Sequence, residues 1–413
     1  MDYIINGGAR LSGEIADYGA KNCALALLGA TVLTDEQVVL HNCPSIVDVE
    51  NMLLLLSSMG KRISRSDDTV SVSGALTTTS APRDIANLLR GSALVLGSTV
   101  AKYHGANLPL PGGCAIGSRP MDIHLNGLKA LGVTVDSSDD MVICKGKPVG
   151  AQYTLRMASV GATENMLCAC ALAEGESVLA NCAMEPEVTA LEQLLVKMGA
   201  KIQGVGTSTL KIVGVEKLHG AEFDVIPDRI VAATYISATV ATMGDVTITN
   251  CNPLHMQAFL NVLIPHAYIK QYDNAIRVMV NKTPNGYGKI VTAPYPLFPT
   301  DMQSLLLSLA SCCCGRTQIV EKLFENRLLH NAQQLNKMGA RITVNNDVAN
   351  IEGSSLCGAQ VTAYDLRGGA GLVIAALNAT GTSSVSGIEH VNRGYVNLAQ
   401  NLRTLGADIN VIP

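Results

Sequence analysis

Positively charged residues stand at the predicted starts of helices, where cations are unusual. The first turn of a helix presents unpaired N–H groups and the positive end of the helix dipole, so a cation there costs stability unless an anion lies beside it. Seven cations occupy such positions: Lys21, Arg90, Arg119, Arg229, Arg327, Arg367 and Arg393. Any one of them could be solvated, or paired with Asp84, Asp228 or Glu325. As a set, they predict a convergent binding site for anions.

The segment 110–120 is a second candidate for chemistry. It contains three glycines, two prolines and a single cysteine, Cys114, and this composition excludes a regular helix or strand. Glycine lets the backbone approach a ligand closely, and Arg119 nearby would stabilise a thiolate. The residues alone leave two alternatives equally open, a reactive thiol and a cysteine in a mobile loop.

The remaining cysteines are predicted to be reduced residues of the core. The chain has twelve cysteines, and its first residues show neither the cationic nor the apolar segment of a secretory signal. Cys168, Cys170 and Cys312 are predicted to be buried. The triplet 312–314 lies in an apolar helical stretch without a C-x-x-C partner, so its pattern favours core packing over a metal site.

Composition excludes several classes of function. The 413 residues are 48% hydrophobic and 15% charged, which is typical of two or three folded domains with large cores. The net charge is 30 − 34 = −4, so no basic field attracts nucleic acid or an anionic membrane. Aromatic residues amount to only 4%, which disfavours base stacking, and no apolar stretch reaches the ~18 residues of a membrane span. We expect a cytoplasmic protein that binds neither nucleic acid nor membrane.

One pattern recurs along the chain and divides it into repeats. It consists of an amphipathic helix, then Leu or Met, then glycine, then a short strand. The glycine position is occupied by Gly60, Gly132, Gly199, Gly339 and Gly406, and by His266 in a degraded copy. These positions lie about 70 residues apart, so six units account for nearly the whole chain. Glycine just past the last apolar position predicts a helix stop with positive φ.

Each repeat also contains a second, more apolar helix, which is predicted to be buried on every side. These helices begin near Lys21, Arg90, Ala162, Arg229, Asp301 and Arg367. The outer helices of three repeats are predicted to begin at Arg119, Arg327 and Arg393. Strands such as 38–42 and 245–250 lie between the two helices. Six such modules exceed one core, so we predict an α/β fold of two lobes with three repeats each. One lobe is 21–228, with the Cys114 segment, and the other is 1–20 plus 229–413.

The motifs of the candidate site, taken together, resemble those of the enolpyruvyl transferases. They are 19–22 (GAKN), 111–120 (PGGCAIGSRP), 159–163 (SVGAT), 298–303 (FPTDMQ), 324–327 (FENR), 365–367 (DLR) and 392–395 (NRGY). Any one of them is a weak signal, but the combination is specific and extends over nearly the full chain. The resemblance implies a two-lobed inside-out α/β barrel with the active site between the lobes.

The resemblance also implies a reaction, the transfer of the enolpyruvyl group of phosphoenolpyruvate to the 3′-hydroxyl of UDP-N-acetylglucosamine. It would release phosphate without a metal or another cofactor, and it would be the first committed step of peptidoglycan synthesis. The implied catalytic residues are Cys114 as acid, Asp301 as base, and Lys21. The implied phosphoenolpyruvate ligands are Lys21, Asn22, Cys114, Arg119, Arg327, Arg367 and Arg393. The implied sugar-nucleotide ligands are Asn22, Arg90, Arg119, Pro120, Met121, Asp122, Ile123, Ser159, Val160, Gly161, Asp301 and Leu323. Covalent adducts of Cys114 with phosphoenolpyruvate and with fosfomycin are further expectations.

Three positions depart from the family pattern. Met157 stands where many members carry Lys, so one contact to the uracil or diphosphate is in doubt. Leu94 replaces a Trp, and His266 replaces a Gly. Two alternatives stay open. One is the branch of the family that uses shikimate 3-phosphate, although that branch lacks the Gly-Gly-Cys loop and its Gly-Asn-Ser-Gly-Thr signature does not occur here. The other is a catalytically idle paralogue that binds the sugar nucleotide. Binding alone would not need Cys114 and Asp301, so the retention of both residues argues against this alternative.

Overall fold

Helices and short strands alternate throughout the chain, as the repeated pattern predicts. The computed structural model describes residues 1–109, 121–138, 140–324 and 326–412. The α-helices are α1 (Lys21–Ala30), α2 (Val47–Ser58), α3 (Arg83–Ala86), α4 (Val95–Tyr103), α5 (Asp122–Ala130), α6 (Val160–Ala171), α7 (Pro186–Lys197), α8 (Arg229–Ala241), α9 (Gln257–Leu263), α10 (Gln303–Cys312), α11 (Arg327–Lys337), α12 (Leu366–Asn378), α13 (Glu389–Asn392) and α14 (Leu398–Thr404).

The strands in the described part of the chain are all three to five residues long. They are β1 (Asp2–Asn6), β2 (Ser12–Ala16), β3 (Val38–His41), β4 (Arg62–Ser66), β5 (Thr69–Ser73), β6 (Gly105–Pro109), β7 (Thr134–Asp136), β8 (Met141–Lys145), β9 (Gln152–Thr154), β10 (Glu176–Ala180), β11 (Lys201–Gln203), β12 (Thr209–Val213), β13 (Ala221–Asp224), β14 (Asp245–Thr249), β15 (Tyr268–Gln271), β16 (Ala275–Met279), β17 (Gly288–Val291), β18 (Arg316–Val320), β19 (Arg341–Asn345), β20 (Val348–Glu352), β21 (Gln360–Thr362), β22 (Thr382–Ser386) and β23 (Asp408–Ile412). Short 3-10 helices cover Thr31–Leu33, Arg90–Leu94, Pro253–Met256 and Thr300–Met302.

The described residues divide into two compact units. The first unit consists of residues 19–109 and 121–226, and the second of residues 1–18 and 227–412. The first unit contains the sheets β13-β3-β5-β4, β11-β12-β10-β9 and β6-β8-β7, and the second contains β15-β16-β14-β2, β17-β18-β20-β19 and β21-β22-β1-β23. Each four-stranded sheet combines one parallel pair with two antiparallel pairs.

The apolar helices form the core of each unit, as predicted. In the second unit every residue of α8 is buried, and so are nearly all residues of α10 and α12. In the first unit α1, α4 and α6 are buried in the same way. Helices that are apolar on all sides need neighbours on all sides, which explains why the sheets and the amphipathic helices surround them.

Glycine ends the amphipathic helices at the predicted positions. All five repeat glycines have positive φ, and at Gly60 (φ +115°) a Cβ would lie 2.4 Å from the backbone nitrogen of Thr77. The strands β4, β7, β11, β19 and β23 follow these glycines within two residues. The predicted helix stops are therefore confirmed. In the degraded copy, α9 ends at Leu263 and β15 begins two residues after His266.

Two local predictions are wrong. Arg393 does not begin an outer helix but follows the last residue of the short α13, and α14 begins only at Leu398. The chain turns between these helices because Tyr395 is buried and Asn397 has a left-handed backbone (φ +48°). In the cysteine triplet, Cys313 is buried and Cys312 partly so, but Cys314 is exposed because α10 ends before it.

Candidate functional site

Two guanidinium groups of the second unit converge on one carboxylate. Arg327, the first residue of α11, donates from Nη2 to Asp301 Oδ1 at 3.3 Å. Arg367, in the first turn of α12, places its Nε 3.6 Å from the same oxygen. The two arginine side chains are only 3–4% exposed, whereas that of Asp301 is 29% exposed. A ligand can therefore reach this carboxylate while both cations stay buried beside it.

A second carboxylate, that of the buried Glu321, orders the segment that carries Asp301. Thr300 Oγ1 donates to Glu321 Oε2 at 2.8 Å and accepts from Arg327 Nη1 at 2.6 Å. The other oxygen, Oε1, accepts the backbone N–H of Leu323 at 2.8 Å.

Arg327 Nε is buried and has no hydrogen-bond acceptor among the residues that the structure describes. An unsatisfied buried donor costs free energy, so this N–H is suited to an oxygen of an anionic ligand.

Charges around Arg367 keep it protonated although it is buried. Burial lowers the pKa of its guanidinium, but the charges of Asp301, Tyr395 and Asp228 raise it, and the net pKa lies above the usual value. Asp228 caps α8 by accepting the N–H groups of its first turn. Tyr395 shares a 2.8 Å hydrogen bond with Thr234 Oγ1, and burial raises the pKa of its phenol. The positive charge of Arg367 is thus fixed at any physiological pH.

In the first unit, Lys21 is paired with a carboxylate that the sequence analysis did not identify. Lys21 is the first residue of α1, whose N-terminus has no side-chain cap, and its Nζ lies 2.6 Å from Asp48 Oδ2. Asp48 is 2% exposed and belongs to the first turn of α2, where the helix dipole favours a negative charge. Lys21 itself is 12% exposed. Asn22, the next residue of α1, is half-buried.

The predicted sugar-nucleotide ligands of the first unit lie at three helix starts. Arg90 begins the 3-10 helix Arg90–Leu94, and residues 121–123 lie at the start of α5. Ser159 caps α6, which begins with Val160 and Gly161. Asp122 forms an exposed ion pair of 2.8 Å with Arg156. Every one of these segments therefore offers backbone N–H groups of a first helical turn, which bind phosphate oxygens well.

Other predicted residues lie elsewhere or outside the described part. Cys114, Arg119 and Pro120 belong to residues 110–120, which lie outside the described residues. Arg229 is the first residue of α8, 4% exposed, with its guanidinium carbon 5.9 Å from the ring centre of Tyr295. Arg393 caps α13 of the second unit. Burial raises the pKa of the thiols of nine other cysteines, so they are less reactive than an ordinary thiol: Cys23, Cys43, Cys144, Cys168, Cys170, Cys182, Cys251, Cys312 and Cys313.

The sequence reasoning missed two acids of the candidate site, Asp48 and Glu321. The structure pairs Lys21 with Asp48. It pairs Arg327 and Arg367 with Asp301, which the sequence had indicated as the base, and the charge of Asp228, one of the suggested partners, acts on Arg367. One signal for Asp48 was available, because an acid in the first turn of α2 is a common helix-start residue. Nothing local to the sequence indicated Glu321.

The described residues contain neither a candidate metal-binding cluster nor a candidate membrane-spanning helix. No group of three or more His, Cys, Asp or Glu side chains there is arranged to hold a metal ion. None of the helices in that part of the chain has the length and apolar character needed to cross a bilayer.

Comparison with known proteins identifies the family. The model of the family described as EPSP synthase (3-phosphoshikimate 1-carboxyvinyltransferase) matches residues 5–402. This chain therefore belongs to that family, the enolpyruvyl transferases, and the resemblance found in its motifs is confirmed.

Two relatives of similar length show which members of the family this chain resembles. The chain is 42% identical over 411 residues to UDP-N-acetylglucosamine 1-carboxyvinyltransferase 2 of Caldanaerobacter subterraneus subsp. tengcongensis, with 98% of each chain covered. It is 43% identical over 418 residues to UDP-N-acetylglucosamine 1-carboxyvinyltransferase of Koribacter versatilis, covering 99% of this chain and 96% of that one.

Solved structures show the same fold. The enolpyruvyl transferase NikO from Streptomyces tendae matches with a TM-score of 0.89 at 24% identity, covering 99% of this chain and 98% of that one. EPSP synthase from Acinetobacter baumannii matches with a TM-score of 0.76 at 19% identity, with 99% of each chain covered. The mixed α/β architecture is thus that of the enolpyruvyl transferases.

Proposed function

We propose that this protein transfers the enolpyruvyl group of phosphoenolpyruvate to the 3′-hydroxyl of UDP-N-acetylglucosamine and releases phosphate. The observation that carries the proposal is the convergence of Arg327 and Arg367 on Asp301, because two buried cations beside an accessible carboxylate supply both anion binding and a proton acceptor. Relatives at 40–43% identity named UDP-N-acetylglucosamine 1-carboxyvinyltransferase favour this acceptor over shikimate 3-phosphate.

The chemistry would proceed by addition and then elimination. Asp301 would take the proton of the 3′-hydroxyl while the hydroxyl oxygen forms a bond to C2 of phosphoenolpyruvate. At the same time Cys114 would deliver a proton to the methylene carbon. In the second step the Cys114 thiolate takes a proton back from the methyl carbon, the electrons of that C–H bond form the double bond again, and phosphate leaves C2 with the electron pair of the C–O bond. The acid and the base must therefore contact opposite ends of the reacting atoms.

The cations would stabilise the negative charge of the tetrahedral intermediate, which still carries phosphate and carboxylate. We assign phosphoenolpyruvate binding to Lys21, Asn22, Cys114, Arg119, Arg327, Arg367 and Arg393. Arg327 and Arg367 are held in place before the ligand arrives, so they need not reorganise during the reaction. Loss of one such contact would cost about 2.7–4 kcal/mol of transition-state stabilisation, by analogy with oxyanion donors.

The sugar nucleotide would be bound largely by backbone groups of helix starts. We assign to it Asn22, Arg90, Arg119, Pro120, Met121, Asp122, Ile123, Ser159, Val160, Gly161, Asp301 and Leu323. The first-turn N–H groups of α5 and α6 are suited to the diphosphate, and the Leu323 backbone is fixed by its hydrogen bond to Glu321.

The same proposal includes the finer organisation of the chain. Six repeats of about 70 residues, three in 21–228 and three in 1–20 plus 229–413, would form an inside-out α/β barrel in each lobe. Six small sheets and five repeat glycines with positive φ support this division. The reaction would take place in the cytoplasm as the first committed step of peptidoglycan synthesis, and so serve cell-wall growth, cell shape and cell division.

Phosphate release by the purified full chain tests the activity. Release is expected only when both phosphoenolpyruvate and UDP-N-acetylglucosamine are present. Release with shikimate 3-phosphate in place of the sugar nucleotide would instead assign the chain to the other branch of the family. Binding of UDP-N-acetylglucosamine without any turnover would support a catalytically idle paralogue and refute the proposed activity.

A further inference from the structure

Three segments of the first unit are tied together by one buried amide, that of Asn165 in α6. Its Nδ2 donates to Ala93 O at 3.0 Å, lies 2.9 Å from His124 Nδ1, and lies 3.2 Å from Gly161 O. Asn165 has no exposed surface. Its three partners belong to the 3-10 helix that begins at Arg90, to the first turn of α5, and to the first turn of α6.

The orientation of this amide is fixed by a fourth contact. Asn165 Oδ1 accepts the backbone N–H of Gly97 at 2.7 Å. Because a backbone N–H can only donate, the oxygen must face Gly97 and the NH2 group must face the three acceptors. A Cβ at Gly97 would lie 2.1 Å from the backbone oxygen of Asn165, so only glycine lets α4 and α6 approach this closely. The amide therefore has one orientation and little room to move.

His124 acts as an acceptor in this cluster. Asn165 Nδ2 has only hydrogens to offer, so His124 Nδ1 must carry the lone pair and the ring proton must lie on Nε2. Burial and the nearby charge of Arg90 lower the pKa of His124 to about 4, against the opposing charge of Asp122, so the ring is neutral at pH 7. The ring also packs on Gly161, where a Cβ would lie 3.2 Å from His124 Cε1.

We propose that Asn165 and His124 are positioning residues for the sugar nucleotide. The inference rests on the proposed function, which assigns ligands to the segments that begin with Arg90, Met121 and Ser159. A ligand that contacts three segments needs each of them placed within a fraction of an ångström. All three are hydrogen-bonded to or packed against the Asn165–His124 pair, which itself need not touch the ligand. Disrupting the pair should therefore weaken sugar-nucleotide binding more than it affects phosphoenolpyruvate or the chemical step.

Asn165→Leu tests the proposal, because leucine keeps the volume and removes all four polar contacts of the amide. We expect the KM and the directly measured Kd for UDP-N-acetylglucosamine to rise at least about tenfold, the equivalent of ~1.4 kcal/mol. The KM for phosphoenolpyruvate and kcat at saturation should change less than threefold. Calorimetric titration with UDP-N-acetylglucosamine alone separates binding from turnover.

Asn336→Leu is the matched control. The Asn336 amide, at the far end of α11, donates to Ile342 O and accepts Ile342 N–H, both at 3.0 Å. Its loss should lower the midpoint of thermal unfolding but leave the Kd for UDP-N-acetylglucosamine unchanged. An equal loss of affinity in both variants would show a general effect of destabilisation and overturn the proposal.

Two variants of His124 keep the test independent of whether Asn165→Leu folds. His124→Asn places an amide oxygen near the position of Nδ1, so it should retain affinity within about threefold, whereas His124→Leu should lose as much as Asn165→Leu. Equal affinity in the two His124 variants would overturn the role of the acceptor. Wild-type affinity in a folded Asn165→Leu would overturn the inference alone. Failure of the wild type to bind UDP-N-acetylglucosamine would overturn the proposed function and this inference with it.

Discussion

Replacing Asp301 by asparagine removes the charge that two buried guanidinium groups share while keeping the size of the side chain. Removing one partner of a fully buried pair costs about 3–5 kcal/mol, and an exposed pair contributes only about 0–1 kcal/mol. Arg327 and Arg367 are buried but Asp301 is 29% exposed, so we expect the free energy of unfolding to fall by about 2 kcal/mol. In domains of about 200 residues this lowers the unfolding midpoint by roughly 4–8 °C.

The effect on turnover should be much larger than the effect on stability. If Asp301 takes the proton of the attacking hydroxyl, kcat for phosphate release should fall about 10²–10⁴-fold while both substrates still bind. The assay is phosphate release under saturating substrates, together with calorimetric titration of UDP-N-acetylglucosamine and a thermal unfolding curve.

Asp245→Asn is the matched control in the same unit. Asp245 accepts Nε and Nη2 of Arg277 at 3.0 and 2.9 Å, but Arg277 is 46% exposed. The control should therefore lose less than about 1 kcal/mol of stability and keep the wild-type kcat. A kcat for Asp301→Asn within a few fold of the wild type would refute the role of Asp301 as base. An unchanged unfolding midpoint would refute the argument from the buried arginines.

Three further predictions follow from cysteine chemistry, pH and backbone strain. Fosfomycin should add once, at Cys114, as measured by intact mass and peptide mapping, and an unmodified Cys114 peptide would contradict a reactive thiol. Burial raises the pKa of Glu192 to about 7. The stability that the protonated carboxyl contributes is therefore present at low pH and is lost as the pH rises through 7. When unfolding in urea is measured between pH 5 and 8, Glu192→Gln should lose less stability than the wild type. Gly132→Ala should lower the free energy of unfolding by about 1–2 kcal/mol, because alanine is strained at positive φ. Gly60→Ala should lower it more, because its Cβ would also collide with Thr77. Equal losses of stability in urea unfolding would show that the collision does not matter.

The elements that the sequence predicts well are those with local causes. Lys21, Arg229 and Arg327 are the first residues of α1, α8 and α11, because apolar spacing and helix-start signals lie within a few neighbouring residues. The same holds for glycines such as Gly60, whose helix stop depends on its own backbone freedom. Arg393 shows the limit of this approach. The break between α13 and α14 depends on the burial of the Tyr395 side chain by distant parts of the chain, which no local pattern reveals.

The supporting residues of the candidate site could not be predicted from one sequence. Asn165 looks like a polar interruption of an apolar helix, and its partners Gly97 and Ala93 lie 68 and 72 residues away. Glu321 likewise contacts Thr300 across 21 residues. Such residues are defined by tertiary contacts, whereas ligand residues at helix starts have a local signature. The sequence therefore indicates which side chains could contact the substrates better than it indicates what holds them in place.

Carboxylates offset the cost of placing cations at helix starts. Asp48 is stabilised twice, by the N-terminus of α2 and by Lys21, so their ion pair offsets the unfavourable position of Lys21 at the start of α1. Asp301 does the same for Arg327 and Arg367. A phosphorylated ligand that contacts these cations must compete with the carboxylates, which lowers its net affinity. In return the cations stay ordered and charged before it arrives, so less of the binding energy is lost in arranging them.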